Sequence, residues 1–162
     1  MTSSRSRNLY GIIAVLGAML VIVASLAGLY YFQYTNALSQ NSTYVQELRT
    51  LGVDYKPNIL FDFGNGSKTW YNSTRFQPGT NLYVATQVIA NGAVNSTYYP
   101  QYGSHFVTSI FDLAGTTSNY WSVWTYNSTA SWQMANVGPD QLPILNGSIY
   151  AWIYCIGNCT AP

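Results

Sequence analysis

Charged side chains make up 7% of this chain, against roughly 25% in ordinary soluble domains. Solubility therefore has to come from Asn, Ser, Thr, Tyr and attached sugar. The six basic residues, Arg5, Arg7, Arg49, Lys56, Lys68 and Arg75, are scattered and the formal net charge is +1, so no basic stripe offers itself to nucleic acid. Only five carboxylates occur (Glu47, Asp54, Asp62, Asp112 and Asp140), and no two share a motif spaced for acid–base work or a calcium loop. Surface and turn positions are the ordinary reading of all five. Histidine occurs once, as His105. One imidazole cannot build a His-rich metal site. A Ser-His-Asp triad would have to use it at a strand start with no nucleophile elbow in sight. The expectation is a chain that is not an enzyme and carries no metal or cofactor.

Cysteine is also scarce. Cys155 and Cys159 stand together in Cys-Ile-Gly-Asn-Cys, and two close thiols in an oxidising compartment pair. The competing reading is a two-thiolate metal or redox site. No histidine lies nearby, and the spacing is one residue longer than Cys-x-x-Cys.

The chain does have a long apolar run. Tyr10 to Phe32 reads YGIIAVLGAMLVIVASLAGLYYF without a charge, and as a helix it spans roughly 34 Å of bilayer. Arg5 and Arg7 precede it and no Lys or Arg follows until Arg49. The positive-inside rule then places the N-terminus in the cytoplasm and the rest outside a plasma membrane. Tyr30, Tyr31, Phe32 and Tyr34 form the outer aromatic belt. A cleaved secretory signal is the alternative, with Ala37-Leu38-Ser39 as a faint cleavage site, but its apolar core is typically about 7 to 15 residues. Small residues recur at four-residue spacing, Ala14 with Ala18 and Ala24 with Gly28, which would let a partner helix approach closely.

Beyond the run, Asn-x-Ser/Thr occurs at Asn41, Asn65, Asn72, Asn95, Asn127, Asn146 and Asn158, never with proline in the middle and never before the anchor. That density predicts N-glycosylation, which supplies the missing solubility, and points to a eukaryotic or archaeal surface, archaeal by the spareness of the architecture.

With 162 residues, the chain has room for one domain plus an anchor. The reading is a tail over 1–9, a transmembrane helix over 10–33, a juxtamembrane helix or stalk over 34–56, a β domain over 57–155 and a tail over 156–162. Asn58 to Phe63 and Lys68 to Ser73 flank the turn Gly64-Asn65-Gly66-Ser67 as a hairpin. After Pro78-Gly79, Thr80 can cap a helix whose Leu82, Ala85, Val88 and Ile89 share one face, and Asn91-Gly92 can close it. Asn95 to Ser104 reads as a tyrosine-rich loop, with strands at His105 to Phe111 and Tyr120 to Tyr126 and an irregular stretch over Gln133 to Asp140. In the last strand, Ile149, Ala151 and Ile153 alternate with Tyr150, Trp152 and Tyr154, as a sheet with two different faces requires. Two strands, a helix, then more strands is the order of a β-grasp fold. The fold class is α+β: a single transmembrane helix, then a small extracellular, mainly β domain with one packed helix.

Four segments carry a resemblance: PGTNLYVATQVIA, GSHFVTSI, YWSVWTYNST and ILNGSIYAWIY. They are similar to the helix, the glycine-led strand, the Trp-x-x-Tyr-x-Asn-Gly hairpin and the closing strand of the transcobalamin-like C-terminal domain family, a β-grasp-type domain of cell-surface proteins. The resemblance covers about Asn58 to Tyr154 and implies fold rather than activity. Asn127-Ser128 stands in place of Asn-Gly, and Asn146-Gly147-Ser148 in place of an acidic turn. In cobalamin carriers a separate helical domain completes the vitamin site, so cobalamin binding is not carried over.

Aromatic residues, 16% of the chain, in part simply build a core. Tyr98, Tyr99, Tyr102, Tyr120, Trp121 and Trp132 fall in expected loops or strand ends, where they could stack on sugar or touch a protein. Two functions follow as expectations. One is a non-catalytic accessory or structural subunit of a larger membrane complex, with lipid, other membrane subunits and N-linked glycans as its partners. The other is a free-standing receptor for a small ligand or glycan.

Overall fold

The computed structural model describes the backbone of residues 3–162 and the side chains from residue 15 onward. The chain divides into two compact units, Met1–Val45 and Gln46–Pro162, each taken by itself below.

Helix α1 runs Ser3–Thr50, 48 residues, or about 72 Å. Between Val15 and Leu29 it is apolar on all sides: Leu16, Met19, Val21 and Ile22, which surround the axis, are all exposed. The helix is long and apolar enough to cross a membrane. It does not pause at residue 33, so the stretches read as transmembrane helix and juxtamembrane helix are one element. Without Pro or paired Gly between Gly28 and Thr50, nothing interrupts the hydrogen-bond ladder. The helix ends where expected, with Gly52 in the left-handed region and the Val53 N–H donating to Leu48 O. Arg5, Arg7 and Ala14 lie outside the residues whose side chains are described.

The second unit is β-rich. Strands β1 (Asn58–Asp62) and β2 (Lys68–Tyr71) form the expected hairpin, helix α2 (Leu82–Ile89) follows, and then come β3 (Val94–Tyr99), β4 (Ser104–Ile110), β5 (Leu113–Ala114), β6 (Asn119–Asn127), β7 (Ser131–Met134) and β8 (Ile149–Ile156). They make a five-stranded sheet ordered β2-β1-β8-β6-β7 and a three-stranded sheet β3-β4-β5. Among the described residues only β1 and β8 pair in parallel, at the centre of the larger sheet.

Alternation along β8 sorts two cores. Tyr150, Trp152 and Tyr154 join Ile59, Phe61, Leu82, Ala85 and Ile110 on one face. Ala151, Ile153 and Cys155 join Leu60 and Trp124 on the other. Trp152 is 2% exposed, and its indole N–H donates to Thr86 Oγ1 at 2.7 Å. The same hydroxyl donates to Leu82 O, so the one buried polar side chain of α2 is satisfied twice while the helix is tied to the sheet.

Three local expectations change. The cap of α2 is Asn81, whose Oδ1 accepts from the Val84 N–H. Thr80 instead turns its hydroxyl to Gln77 O. The tyrosine-rich segment expected to be a loop contains β3, whose polar residues sit on an edge strand where only one side needs burial. The stretch read as irregular, Gln133 to Asp140, takes in the last two residues of β7, which closes a hairpin through an Asx turn, Asn127 Oδ1 accepting from the Thr129 N–H, and through Ser131 in the left-handed region. No glycine announces that turn. Cys155 and Cys159 are paired, with Ser122 Oγ within hydrogen-bonding distance of both sulfurs.

Candidate functional site

The single histidine and one of the five carboxylates, 35 residues apart, meet. A short helical turn, Pro100–Tyr102, ends at Gly103 in the left-handed conformation and delivers Ser104 and His105 to the start of β4. A second such turn, Pro139–Gln141, begins with proline at its first position and places Asp140 opposite. Between them lies Gly138, where a Cβ would overlap the Ser104 side chain.

Asp140 is fully engaged. Its Oδ2 accepts from Ser104 Oγ at 2.8 Å and from the His105 backbone N–H at 2.7 Å. Its Oδ1 meets His105 Nδ1 at 2.8 Å. Burial pushes this carboxyl up, but the His105 backbone N–H, the His105 ring and the Ser104 hydroxyl together outweigh it, and its pKa falls below the ordinary 3.8. At neutral pH it is therefore an ionised, acceptor-only group, so His105 Nδ1 carries a proton. In neutral His105 that leaves a lone pair on Nε2, and among the described residues nothing hydrogen-bonds to Nε2.

The imidazole is held on its face as well. Tyr83 of α2 stacks on it with centroids 3.9 Å apart and planes 5° from parallel. Gln87 donates to the Tyr83 hydroxyl, which also shares a hydrogen bond with Ser96. Tyr98 leans against the ring at 5.0 Å. Three elements thus fix the orientation of one side chain. Ser104 donates to the carboxylate and not to the imidazole, so the trio is not a nucleophile–base pair.

His105 lines an open cleft of about 540 Å³ shared by Tyr99, Tyr102, Phe106, Asn136 and Gln141, within the roughly 300–1,000 Å³ of ligand sites. Tyr102 and Phe106 are exposed, at 69% and 55%. Gln141 donates its amide to Tyr102 O, which steadies the turn.

Of the expected aromatic contact residues, Tyr99 and Tyr102 line this cleft and Tyr98 touches its histidine. The other three lie elsewhere. Tyr120 is an exposed residue of β6. Trp132 lies in β7 against Tyr126. Trp121 is a correction: it is 5% exposed, donates its indole N–H to Leu113 O, and belongs to the core. Its position near a strand end concealed the fact that its side chain faces inward. No local motif links His105 to Asp140.

All seven sequon asparagines are exposed. In Asn65 and Asn127 the side-chain oxygen is held by the backbone two residues on, and in Asn146 by the Lys56 N–H. Ala18, Ala24 and Gly28 lie on α1; at 100° per residue they and the Ala14 position fall within about 120° of the circumference.

No family model and no curated protein matches the chain. Among solved structures, it is similar to haptocorrin in complex with Cbi, at 12% identity and a TM-score of 0.51 over 65% of this chain. The match spans only about a quarter of that protein's length, 26%. It is also similar to a provisionally assigned metal binding protein from Ruminococcus gnavus ATCC 29149, at 14% identity and a TM-score of 0.49, covering 64% of this chain and 99% of that one.

Proposed function

We propose that this chain is a non-catalytic module held at the outer face of a membrane by α1, with a transcobalamin-like, β-grasp-type domain that binds a ligand in the cleft beside His105. The observation that carries the reading is the histidine itself. Its Nδ1 is fixed by Asp140, its face by Tyr83, and its Nε2 is left for something other than the protein. The fold assignment rests on the likeness to haptocorrin and on the order hairpin, helix, strands, with the first and last strands parallel. Nothing haptocorrin holds is transferred. The orientation rests on Arg5 and Arg7 before the apolar run, and surface glycosylation rests on seven exposed sequons.

Because His105 is the only histidine, its imidazole gives a single resonance. The full chain, labelled at histidine Cε1 and held in lipid nanodiscs, would be titrated with mixtures of small metabolites, peptides and sugars. A saturable shift with at least one class is expected, and an invariant resonance across all of them would remove the ligand-binding reading.

A second reading, an accessory subunit of a membrane complex, is favoured by the small-residue stripe on α1. Replacing Ala24 and Gly28 with Leu should keep membrane insertion and release co-purifying partners, because the backbones could no longer approach. Unchanged partners after mild solubilisation would count against it. Glycopeptide mapping is expected to find sugar on most of the seven asparagines, with Asn158, inside the Cys155–Cys159 loop, the least occupied. Bare asparagines throughout would leave the low charge of the surface without a compensating group.

A further inference from the structure

Resting on the ligand-binding reading above, we infer that the ligand of the cleft is a neutral saccharide, its ring stacked on Tyr102 and a hydroxyl donating to His105 Nε2. The polar inventory leads there. No Lys, Arg, Asp or Glu lines the cleft, so a charged ligand would give up hydration with no counter-charge to receive it. The nearest carboxylate, Asp140, turns both oxygens to Ser104 and His105 and does not line the cleft.

What the cleft does present is uncharged hydrogen-bonding groups and ring faces. The Nε2 of neutral His105 accepts. Gln141 donates one of its two amide N–H groups to Tyr102 O, which leaves the second N–H and the amide oxygen for a ligand. Asn136 adds an amide. A lining that both donates and accepts, without charge, calls for a ligand with several hydroxyls, each of which can do either. Tyr99 and Tyr102, their centroids 6.4 Å apart and planes at 54°, give two ring surfaces at an angle, with Phe106 as a third.

The openness of the site decides against a purely aromatic ligand. A flat apolar molecule needs most of its surface covered, and this cleft leaves one side in water. A pyranose has C–H faces for the rings and a rim of hydroxyls that stays hydrated on the open side and bonds to the amides and His105 on the other.

The test uses the full chain in nanodiscs free of glycolipid and of sugar detergents. Neutral hexasaccharides of glucose, mannose and N-acetylglucosamine would be compared with oligogalacturonate and with chitosan hexamer, reading the His105 Cε1 resonance. At least one neutral hexasaccharide should shift it saturably, and neither charged series should. Tyr102→Ala should weaken that binding about tenfold or more through loss of the stacked ring, while Tyr102→Phe retains it. Tyr102 is an exposed side chain on a turn, so neither change removes core packing. Binding of the charged oligomers at equal affinity would overturn the assignment, as would saccharide binding indifferent to Tyr102→Ala. A shift produced only by non-sugar metabolites would overturn the saccharide class and leave the cleft as a ligand site. No shift with any compound would overturn both.

Discussion

Trp152→Ala is expected to lower the stability of the β domain by about 3–5 kcal/mol, the range for removing a fully packed indole. The residue sits on the central strand β8, between Phe61 of β1 and Val123 of β6 in register, at 2% exposure. Its ring fills the layer between sheet and α2, where Leu82 and Ala85 are completely buried, so the neighbours cannot collapse without moving the helix. Trp152→Phe separates packing from polarity. It keeps most of the ring and deletes the N–H that donates to Thr86 Oγ1, for an expected loss of about 1–3 kcal/mol. Urea unfolding of the chain in nanodiscs, followed by fluorescence of the remaining tryptophans, would measure both. Val88→Ala, on the exposed side of α2, should be close to neutral and serves as the control. Equal losses for the two Trp152 variants would mean that the hydrogen bond, and not the filled volume, holds α2 to the sheet.

Those core residues were legible because periodicity announces them. The alternation in SIYAWIY separates Tyr150, Trp152 and Tyr154 from Ala151 and Ile153, and the two cores divide along that line. Gly52 and Gly92 mark helix ends for the reason glycine usually does: each takes a left-handed backbone there. Edge strands are another matter. VNSTYY in β3 carries a single aliphatic residue, and its pairing with β4 is made by backbone groups that any sequence owns. In β7, Ser131 adopts a left-handed conformation that glycine or asparagine would have advertised.

The site was the least legible part. His105 and Asp140 come from two turns 35 residues apart, and their meeting depends on Gly103 and Gly138 giving those turns room, which no spacing rule encodes. The tyrosines were half legible, since composition marked them as surplus to the core. Only the path of β3 and the following turn decides that Tyr98, Tyr99 and Tyr102 gather near the histidine while Trp121 turns inward.

Asp140→Asn is expected to remove this organisation and with it part of the acid sensitivity of the domain. The carboxylate accepts three hydrogen bonds, from the Ser104 hydroxyl, the His105 backbone N–H and His105 Nδ1. An amide has one acceptor oxygen and turns an N–H toward one of those donors. Each poorly solvated donor left without a partner costs about 1–3 kcal/mol, and the Asp140 side chain is only 16% exposed, so a total loss near the upper end is expected at pH 7. The pH dependence has a definite sign. The folded pKa of Asp140 lies below its ordinary 3.8, so the group stabilises the fold fully above that value and progressively less as pH falls through the folded value. The wild-type stability curve should therefore decline below about pH 4, and the Asn variant should start lower at pH 7 and decline less steeply over the same interval. The histidine reports the change a second way. Without an ionised partner, Nδ1 is no longer obliged to hold the proton, so the neutral ring populates both tautomers, and its Cδ2 resonance should move toward the tautomer average. Urea midpoints measured from pH 7 down to pH 3, alongside that resonance, would check both outcomes. Parallel acid limbs in the two proteins would place the acid sensitivity on another carboxylate, and an unmoved imidazole spectrum would show that the tautomer does not depend on the Asp140 carboxylate.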